Sequence, residues 1–340
     1  MFTPQYSLTE KLLANITQSE RLYGQIEALK IPQKLELNLK RKNLVQSAYA
    51  SNKIEGNPLT LPEVTNLLLD GLVPATRDEK EVANYFNLLS QLPQYHTGKL
   101  TVDLVTQLHV NLFATIEKAA GQIRNAKVVV GKYSGEKGTA TLKVKHEPPF
   151  HTRPRITRSL EELFAWLNDS PNLPTIIRAG VFHHHFVFIH PFEDGNGRVC
   201  RALTALVFLK DNYQINKYFI LDDYYDIDRI TYSDALHSAD KGDKTRWLEY
   251  FAEGVKHSLK SALARYQNAL QTLRIEERPT PKERRVFEIM KEQPELTSTD
   301  LARQLNVSRQ QAHNLLSSLV AKGLLERKGT TKSSYYKLRR

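Results

Sequence analysis

The stretch His190-Pro191-Phe192-Glu193-Asp194-Gly195-Asn196-Gly197-Arg198-Val199-Cys200-Arg201 decides how the rest of the chain is read. It brings together an imidazole, two carboxylates, a Gly-Asn-Gly turn and two arginines. Val199, Leu203, Leu206, Val207 and Leu209 follow at helical spacing as far as Lys210, so the polar groups sit on a loop that feeds a helix N-terminus. The first amides of a helix have no internal acceptors and favour an anion beyond the end. Gly195, Asn196 and Gly197 are residue types that let successive N–H groups turn inward as a nest. Arg198 and Arg201 are three apart, share a helical face and can fork onto one phosphate chain. His190 is the only group here that titrates near neutrality in isolation, which makes it the natural general base. These residues describe a phosphate site with a base beside it. The plainer alternative is a polar loop with a satisfied histidine. A Walker-type loop is excluded, because no G-x-x-x-x-G-K-[ST] occurs.

His190 to Arg201 resembles the H-P-F-x-[D/E]-G-N-G-R-x-x-R signature of the Fic family at every fixed position. The resemblance implies a mainly α fold: a Fic-type helical core that transfers AMP from ATP to a protein Ser, Thr or Tyr hydroxyl. It implies that His190 deprotonates the target and that Asp194 holds Mg²⁺ against the α- and β-phosphates. Gly195, Asn196 and Gly197 would form the anion hole, with Val199 and Cys200 in the nucleotide-binding run. Arg198 and Arg201 would grip the β- and γ-phosphates.

Upstream, Ser51-Asn52-Lys53-Ile54-Glu55-Gly56-Asn57-Pro58 ends a helix at a Gly-Asn-Pro stop. A carboxylate near a helix C-terminus is disfavoured by the dipole and asks for a cationic partner. Ser51-x-x-x-Glu55-Gly56 resembles the Fic inhibitory motif, in the N-terminal position. By that resemblance Glu55 pairs with Arg201 and takes ground that the γ-phosphate needs. Arg229-x-x-Tyr232 resembles the segment from which the family presents an aromatic to the adenine, with Tyr232-Ser233 here in place of a Tyr-Tyr pair. His183, His184 and His185 are consecutive on a helix and point three ways, so they cannot chelate one ion; packing is the expected role.

The chain in order reads as helices over Leu8–Leu13, Leu22–Leu29, Leu35–Ala50, Leu59–Leu72, Asp78–Leu92 and Val102–Ile116. Lys127–Val130 and Thr141–Lys145 flank a Gly-rich turn and read as a β-hairpin, which by resemblance is a flap over the site. Helices follow over Ile156–Leu167, Ile176–Ile189, Asp226–Ser238, Thr245–Ser258 and Leu259–Leu273. Pro279 and Pro281 sit in a charged stretch that marks a boundary. The tail then reads as helices Lys282–Gln293, Ser298–Leu305 and Arg309–Lys322. A hairpin of Leu324–Arg327 and Ser334–Leu338 follows, around a basic loop, Lys328–Lys332. That is a winged helix-turn-helix pattern, with Arg309, Gln310, His313 and Asn314 projecting from the third helix. The expected domains are 1–100, containing the inhibitory segment Ser51–Asn57; 101–274, the core; and 275–340, the winged helix.

The formal net charge is +11. Residues 278–340 hold 14 Lys+Arg against 6 Asp+Glu, or +8, leaving +3 for the rest. A basic tail on a nearly balanced body suggests DNA for the tail alone. Cys200 is the single cysteine, so no intrachain disulfide forms, which fits a reducing cytoplasm. No run is apolar enough to span a membrane and no signal pattern opens the chain. The expected partners are a target protein hydroxyl, the chain itself, a second copy as a homodimer, and DNA. Two other functions fit the same residues: a DNA-binding regulator whose core senses nucleotide, and removal of AMP with Glu55 positioning a water.

Overall fold

The computed structural model describes residues 2–116, 120–134, 141–276, 280–329 and 334–339. It separates into two compact units, 1–266 and 267–340.

The first unit is helical: α1 Glu10–Glu27, α2 Gln33–Ile54, α3 Leu61–Leu69, α4 Arg77–Gln91, α5 Val102–Leu112, α6 Arg153–Asp169, α7 Thr175–Ile189, α8 Asn196–Lys210, α9 Asp222–Ile227, α10 Arg229–Ser238 and α11 Thr245–Glu276, the last crossing the partition. Pro32 precedes α2, and Thr60 and Thr76 close capping boxes with Glu63 and Glu79 at the starts of α3 and α4. The central pair is α7 and α8. Neither has a polar stripe, and both are buried on nearly every side: Ile176, Phe182, Phe186, Val199, Leu203 and Leu206 are all inaccessible or almost so. A helix covered on nearly every side belongs in the middle of a core, and each of these apolar side chains stabilises by roughly 1.5–3 kcal/mol on burial. Leu12, Leu44, Val64 and Tyr85 from the first 100 residues join the same core as these. The expected separate N-terminal region is therefore part of one unit with residues 101–266.

The β-hairpin is present with its first strand displaced. Strands β1 Val130–Ser134 and β2 Thr141–His146 pair antiparallel, Tyr133 opposite Leu142, with an irregularity at Val130/Gly131. Lys127–Val129 is not strand, and Gly131, expected in the turn, is paired. The tip, 135–140, lies outside the described residues. Two pairs of expected helices are single: α1 replaces Leu8–Leu13 and Leu22–Leu29, and α11 runs unbroken through Ser258 and Leu259. No proline interrupts either, so nothing forces a break.

The second unit holds α12 Pro281–Glu292, β3 Glu295–Leu296, α13 Ser298–Leu305, α14 Arg309–Ala321, β4 Leu325–Lys328 and β5 Tyr335–Leu338. The sheet order is β3-β5-β4, antiparallel throughout. This is the expected winged helix, with β3 as an added short strand. Val286, Leu301, Leu316, Leu319 and Tyr336 form its own core. Buried Glu283 of α12 bonds Lys322 at 2.8 Å after α14. Arg309, Gln310 and Asn314 are exposed as expected. His313 is half-buried instead, its Nδ1 3.2 Å from Tyr336 Oη. Residues 330–332 of the basic loop are outside the described residues.

Among the described residues no helix is long and apolar enough to cross a membrane.

Candidate active site

The site loop begins where α7 stops. His190 takes the left-handed conformation, φ 53°, which a non-glycine residue holds only when its surroundings enforce it. Arg124 does so. Its Nε donates to His190 O at 2.6 Å, Nη2 to Ile189 O at 3.1 Å and Nη1 to Ala126 O at 2.7 Å. Asn196 closes the loop from the other end, its Oδ1 accepting from Phe192 N at 2.9 Å and its Nδ2 donating to Phe192 O at 2.8 Å. His109 accepts from Gly121 N on Nδ1 at 2.8 Å, which puts the proton on Nε2 and aims it at Asp194 O, 3.1 Å away.

Gly195 is the N-cap of α8 at φ 75°. A Cβ there would meet the Phe113 ring at 2.5 Å, so both conformation and space require glycine. Its N–H is taken by Asp194 Oδ1 at 2.6 Å. The helix starts at Asn196, three residues before the apolar run, so Asn196 and Gly197 supply the first helical amides, which lack intrahelical acceptors. The expected anion hole thus narrows. Asn196's side chain is occupied by Phe192, Gly195's amide by Asp194, and the backbone of Asn196 and Gly197 remains.

The arginines diverge from the common grip expected of them. Arg201 is buried and turned toward α2: Nε donates to Ser51 Oγ at 2.7 Å, and Nη2 donates to Ser51 O at 2.9 Å and Glu55 Oε1 at 2.7 Å. Asp222 stands 3.4 Å from Nε. Arg198 is held by Glu81 of α4 at 2.8 Å, with Asp194 at 3.6 Å and Phe113 beneath it. Its Nε is buried with no hydrogen-bond partner among the described residues. Burial pushes the Glu55 carboxyl up, but Arg201 and then Arg198 more than offset this and leave it below its usual range. The carboxylate keeps 36% exposure. Gly197 is the residue over which it lies: a Cβ there would collide with Glu55 Oε1.

His190 is neutral at physiological pH. Burial lowers it to about 4, with the Val187 carbonyl and Glu55 opposing and His146 and Arg124 assisting. Nδ1 faces Val187 O at 3.3 Å, so that nitrogen carries the proton and Nε2 presents a lone pair.

Glu55, His190, Gly197, Arg201 and Tyr232 line one cavity of about 210 Å³, with Val130, Gly131 and Lys145 of the hairpin on its wall. Tyr232 is almost inaccessible: its Oη is 2.9 Å from His183 Nε2 and one ring face stacks on Tyr225 at 4.5 Å. His183 also meets Thr204 and packs in the core, in agreement with the structural role expected for it. Val199 and Cys200 do not line the cavity. Both side chains are fully buried, Val199 N donates to Gly195 O, and burial pushes the Cys200 thiol up to about 12. Sequence reading also missed Glu81, Asp222, Arg124 and His109. Each is a single polar residue on an amphipathic segment or loop, with no local signal of a distant partner.

A buried central helix opening on an anion-type loop, with a neutral histidine before it and a hairpin beside it, defines the class of site. Residues 99–208 match the model of the Fic/DOC family and residues 279–332 that of the MarR family. The chain carries a Fic domain followed by a MarR-type winged helix domain. It is 29% identical over 235 residues to the protein adenylyltransferase fic-1 of Caenorhabditis elegans, an alignment covering 66% of this chain and 41% of that one. It is 25% identical over 271 residues to the protein adenylyltransferase Fic of Nematostella vectensis, covering 76% and 57%. The chain thus spans about half the length of these relatives. A Fic family protein from Desulfovibrio desulfuricans G20 shares the fold along 99% of this chain and 98% of its own, at a TM-score of 0.68 and 23% identity.

Proposed function

We propose that the first unit transfers AMP from ATP to a Ser, Thr or Tyr hydroxyl of a protein and that Glu55 restrains it. The observation that carries this is the convergence of His190, Gly197, Arg201 and Glu55 on one cavity, together with likeness to proteins named adenylyltransferases. His190 Nε2 accepts the target's proton. The freed oxygen bonds to the α-phosphorus, the bond to the bridging oxygen breaks, and pyrophosphate leaves. Charge stabilisation falls to the amides of Asn196 and Gly197 and to Arg198 and Arg201, as in phosphoryl transfer generally.

Mg²⁺ fits this loop. Asp194 is half-exposed, with Oδ2 3.7 Å from Arg77, and one or two carboxylates with substrate phosphates and waters are the usual donor set for that ion. Bound there, it would neutralise charge between the α- and β-phosphates. The buried Nε of Arg198, without a hydrogen-bond partner among the described residues, is the kind of donor a phosphate oxygen satisfies.

The cavity, about 210 Å³, is smaller than the roughly 300–1,000 Å³ of ordinary ligand clefts. Glu55 stands in it on the guanidinium that would take the γ-phosphate, which supports the inhibitory reading. The hairpin supports a flap role: its outer edge can receive an extended target segment through backbone hydrogen bonds. The experiment is mass spectrometry of the full chain with ATP and Mg²⁺, on the Glu55→Gly variant with and without His190→Ala. An AMP adduct is expected on the first, on the chain itself or an added target, and none on the second. Adducts of equal amount on both would refute the assignment.

A second function is proposed for the tail. The MarR match, the +8 charge and the exposed Arg309, Gln310 and Asn314 of α14 support duplex DNA binding. The 340-residue chain should bind duplex with an affinity that falls with salt. Arg309→Ala should weaken binding and lower the salt slope by about 1 if Arg309 meets phosphate. Salt-independent binding, or none, would refute it.

A further inference from the structure

A second cluster of titratable side chains lies behind His190 and takes no part in the transfer proposed above. At its centre is Asp240, in the short 3-10 turn Ala239–Lys241 that follows α10. Three histidines from distant parts of the chain converge on it. Asp240 Oδ2 lies 2.8 Å from Nδ1 of His146, at the end of β2, and 3.1 Å from Nδ1 of His237, on α10. Asp240 Oδ1 lies 3.0 Å from Nε2 of His184, on α7. The His146 and His237 rings stack with centroids 5.4 Å apart, and His146 is 6.5 Å from the ring of His190.

Neighbouring groups fix the tautomers. Lys244 Nζ, which as an ammonium has donors only, is 2.9 Å from His184 Nδ1. His184 Nδ1 therefore accepts, and its Nε2–H donates to Asp240 Oδ1. His146 Nε2 faces the Phe188 carbonyl at 3.0 Å, so that nitrogen carries a hydrogen. Nδ1 of the same ring then faces a carboxylate oxygen 2.8 Å away. Two such atoms this close, on a ring only 3% exposed, have a proton or a metal ion between them. His237 brings a second Nδ1 to the same oxygen.

We propose that His146 Nδ1, His237 Nδ1 and Asp240 Oδ2 form a binding site for a zinc-class divalent ion, with a fourth position open to water. The three atoms lie within 4.8 Å of one another. Tetrahedral Zn²⁺ with bonds of about 2.0–2.1 Å sets its ligands about 3.3 Å apart, a few tenths of an ångström wider than the two short separations here. Two imidazoles and a carboxylate with one open position is an established donor count for zinc and suits a borderline ion better than Mg²⁺. The surroundings have the form of an outer shell: the His146 N–H is anchored on a backbone carbonyl, and the second carboxylate oxygen is anchored on His184. The ion would fasten β2 to α10, where Lys145 Nζ already meets Ser233 Oγ at 2.8 Å, and so fix the base of the hairpin beside His190. The site stands independently of the transfer reaction.

The test uses the full chain stripped of metal with a chelator. Zn²⁺ is titrated by calorimetry and Co²⁺ by visible absorption. One equivalent should bind, Co²⁺ should give the intense visible bands of a tetrahedral ion, and Zn²⁺ should displace it. His237→Ala and Asp240→Asn should each weaken Zn²⁺ at least about tenfold, the lower end for loss of even an outer-shell partner. In wild type Zn²⁺ should slow amide exchange at residues 144–146. Circular dichroism of the metal-free variants checks that they fold. Wild-type Co²⁺ spectra of octahedral type, or Zn²⁺ binding unchanged in His237→Ala, would overturn the site and leave an imidazolium on Asp240 as the cation.

Discussion

Replacing Glu55 with glycine should raise AMP transfer through Arg201 and should cost the fold little. Removing one partner of a buried ion pair usually costs about 3–5 kcal/mol, because the other charge is stranded. Arg201 is not stranded here. It keeps Ser51 Oγ at 2.7 Å, Ser51 O at 2.9 Å and Asp222 at 3.4 Å. The loss reduces to one charge-assisted hydrogen bond, about 1.5–3 kcal/mol, toward the low end because the carboxylate is 36% exposed and screened. ATP must displace the same contact before its γ-phosphate can reach Arg201. At about 1.4 kcal/mol per factor of ten, productive nucleotide binding should improve by about tenfold in Glu55→Gly. The assay is AMP incorporation from α-labelled ATP over a range of ATP concentrations, with thermal melts alongside. The control is a double-mutant cycle with Arg201→Ala. If Glu55 acts through Arg201, the Glu55→Gly gain should vanish in the Arg201→Ala background. A gain of the same size there would refute the reasoning, since Glu55 would then be acting on something else.

Two further outcomes test the loop itself. Gly195→Ala should lower stability by about 2–4 kcal/mol, from roughly 1–2 for a left-handed non-glycine residue plus overpacking against Phe113; a melting temperature within a degree of wild type would contradict the contact. The His190 limb of the kcat/KM profile should lie near pH 4, with no inflection from His190 at 6.5. Its sign in stability follows from the same burial. The folded value lies below the unfolded one, so His190 contributes stability above about pH 6.5 that is lost as pH falls toward 4. His190→Gln should flatten that part of the stability profile.

The fold was legible where period and chemistry agreed. The run after Arg198 announces a buried helix, and His190 to Arg201 is dense enough in polar groups to mark the loop. Residues 298–305 are bounded by Thr297 and Asn306, whose cap chemistry is visible in sequence, and α13 begins and ends there. The hairpin register was less legible, because β-branched Lys127–Val130 outscores Gly131 by propensity while tertiary pairing chose Val130–Ser134. The placement of the Val199 and Cys200 side chains was readable too. Arg198 and Arg201 share a helical face, so the two residues between them turn away from it and enter the core. Glu81 and Asp222 gave no such clue. One carboxylate on an amphipathic helix looks the same whether it meets solvent or an arginine 117 residues later.

Those two acids explain why the arginines can wait for a phosphate at all. A guanidinium nearly closed off from water needs a counter-charge in every state of the site, with or without nucleotide. Asp222, buried, stands 3.4 Å from Arg201, and Glu81, largely shielded, stands 2.8 Å from Arg198. Burial holds Asp222 above its usual carboxylate range, against the pull of Arg201 and the hydrogen bond from Ser47. That environment is affordable only while the arginine stays beside it. Glu55 differs in kind: it caps the C-terminus of α2, where the dipole opposes it, remains partly exposed, and lies over Gly197 rather than inside the core. Of the carboxylates on Arg201, it is the one whose departure leaves no buried charge unpaired. A buried counter-ion and an exchangeable one on the same guanidinium is the arrangement that lets a phosphate replace an acid without unfolding the helix that carries the arginine.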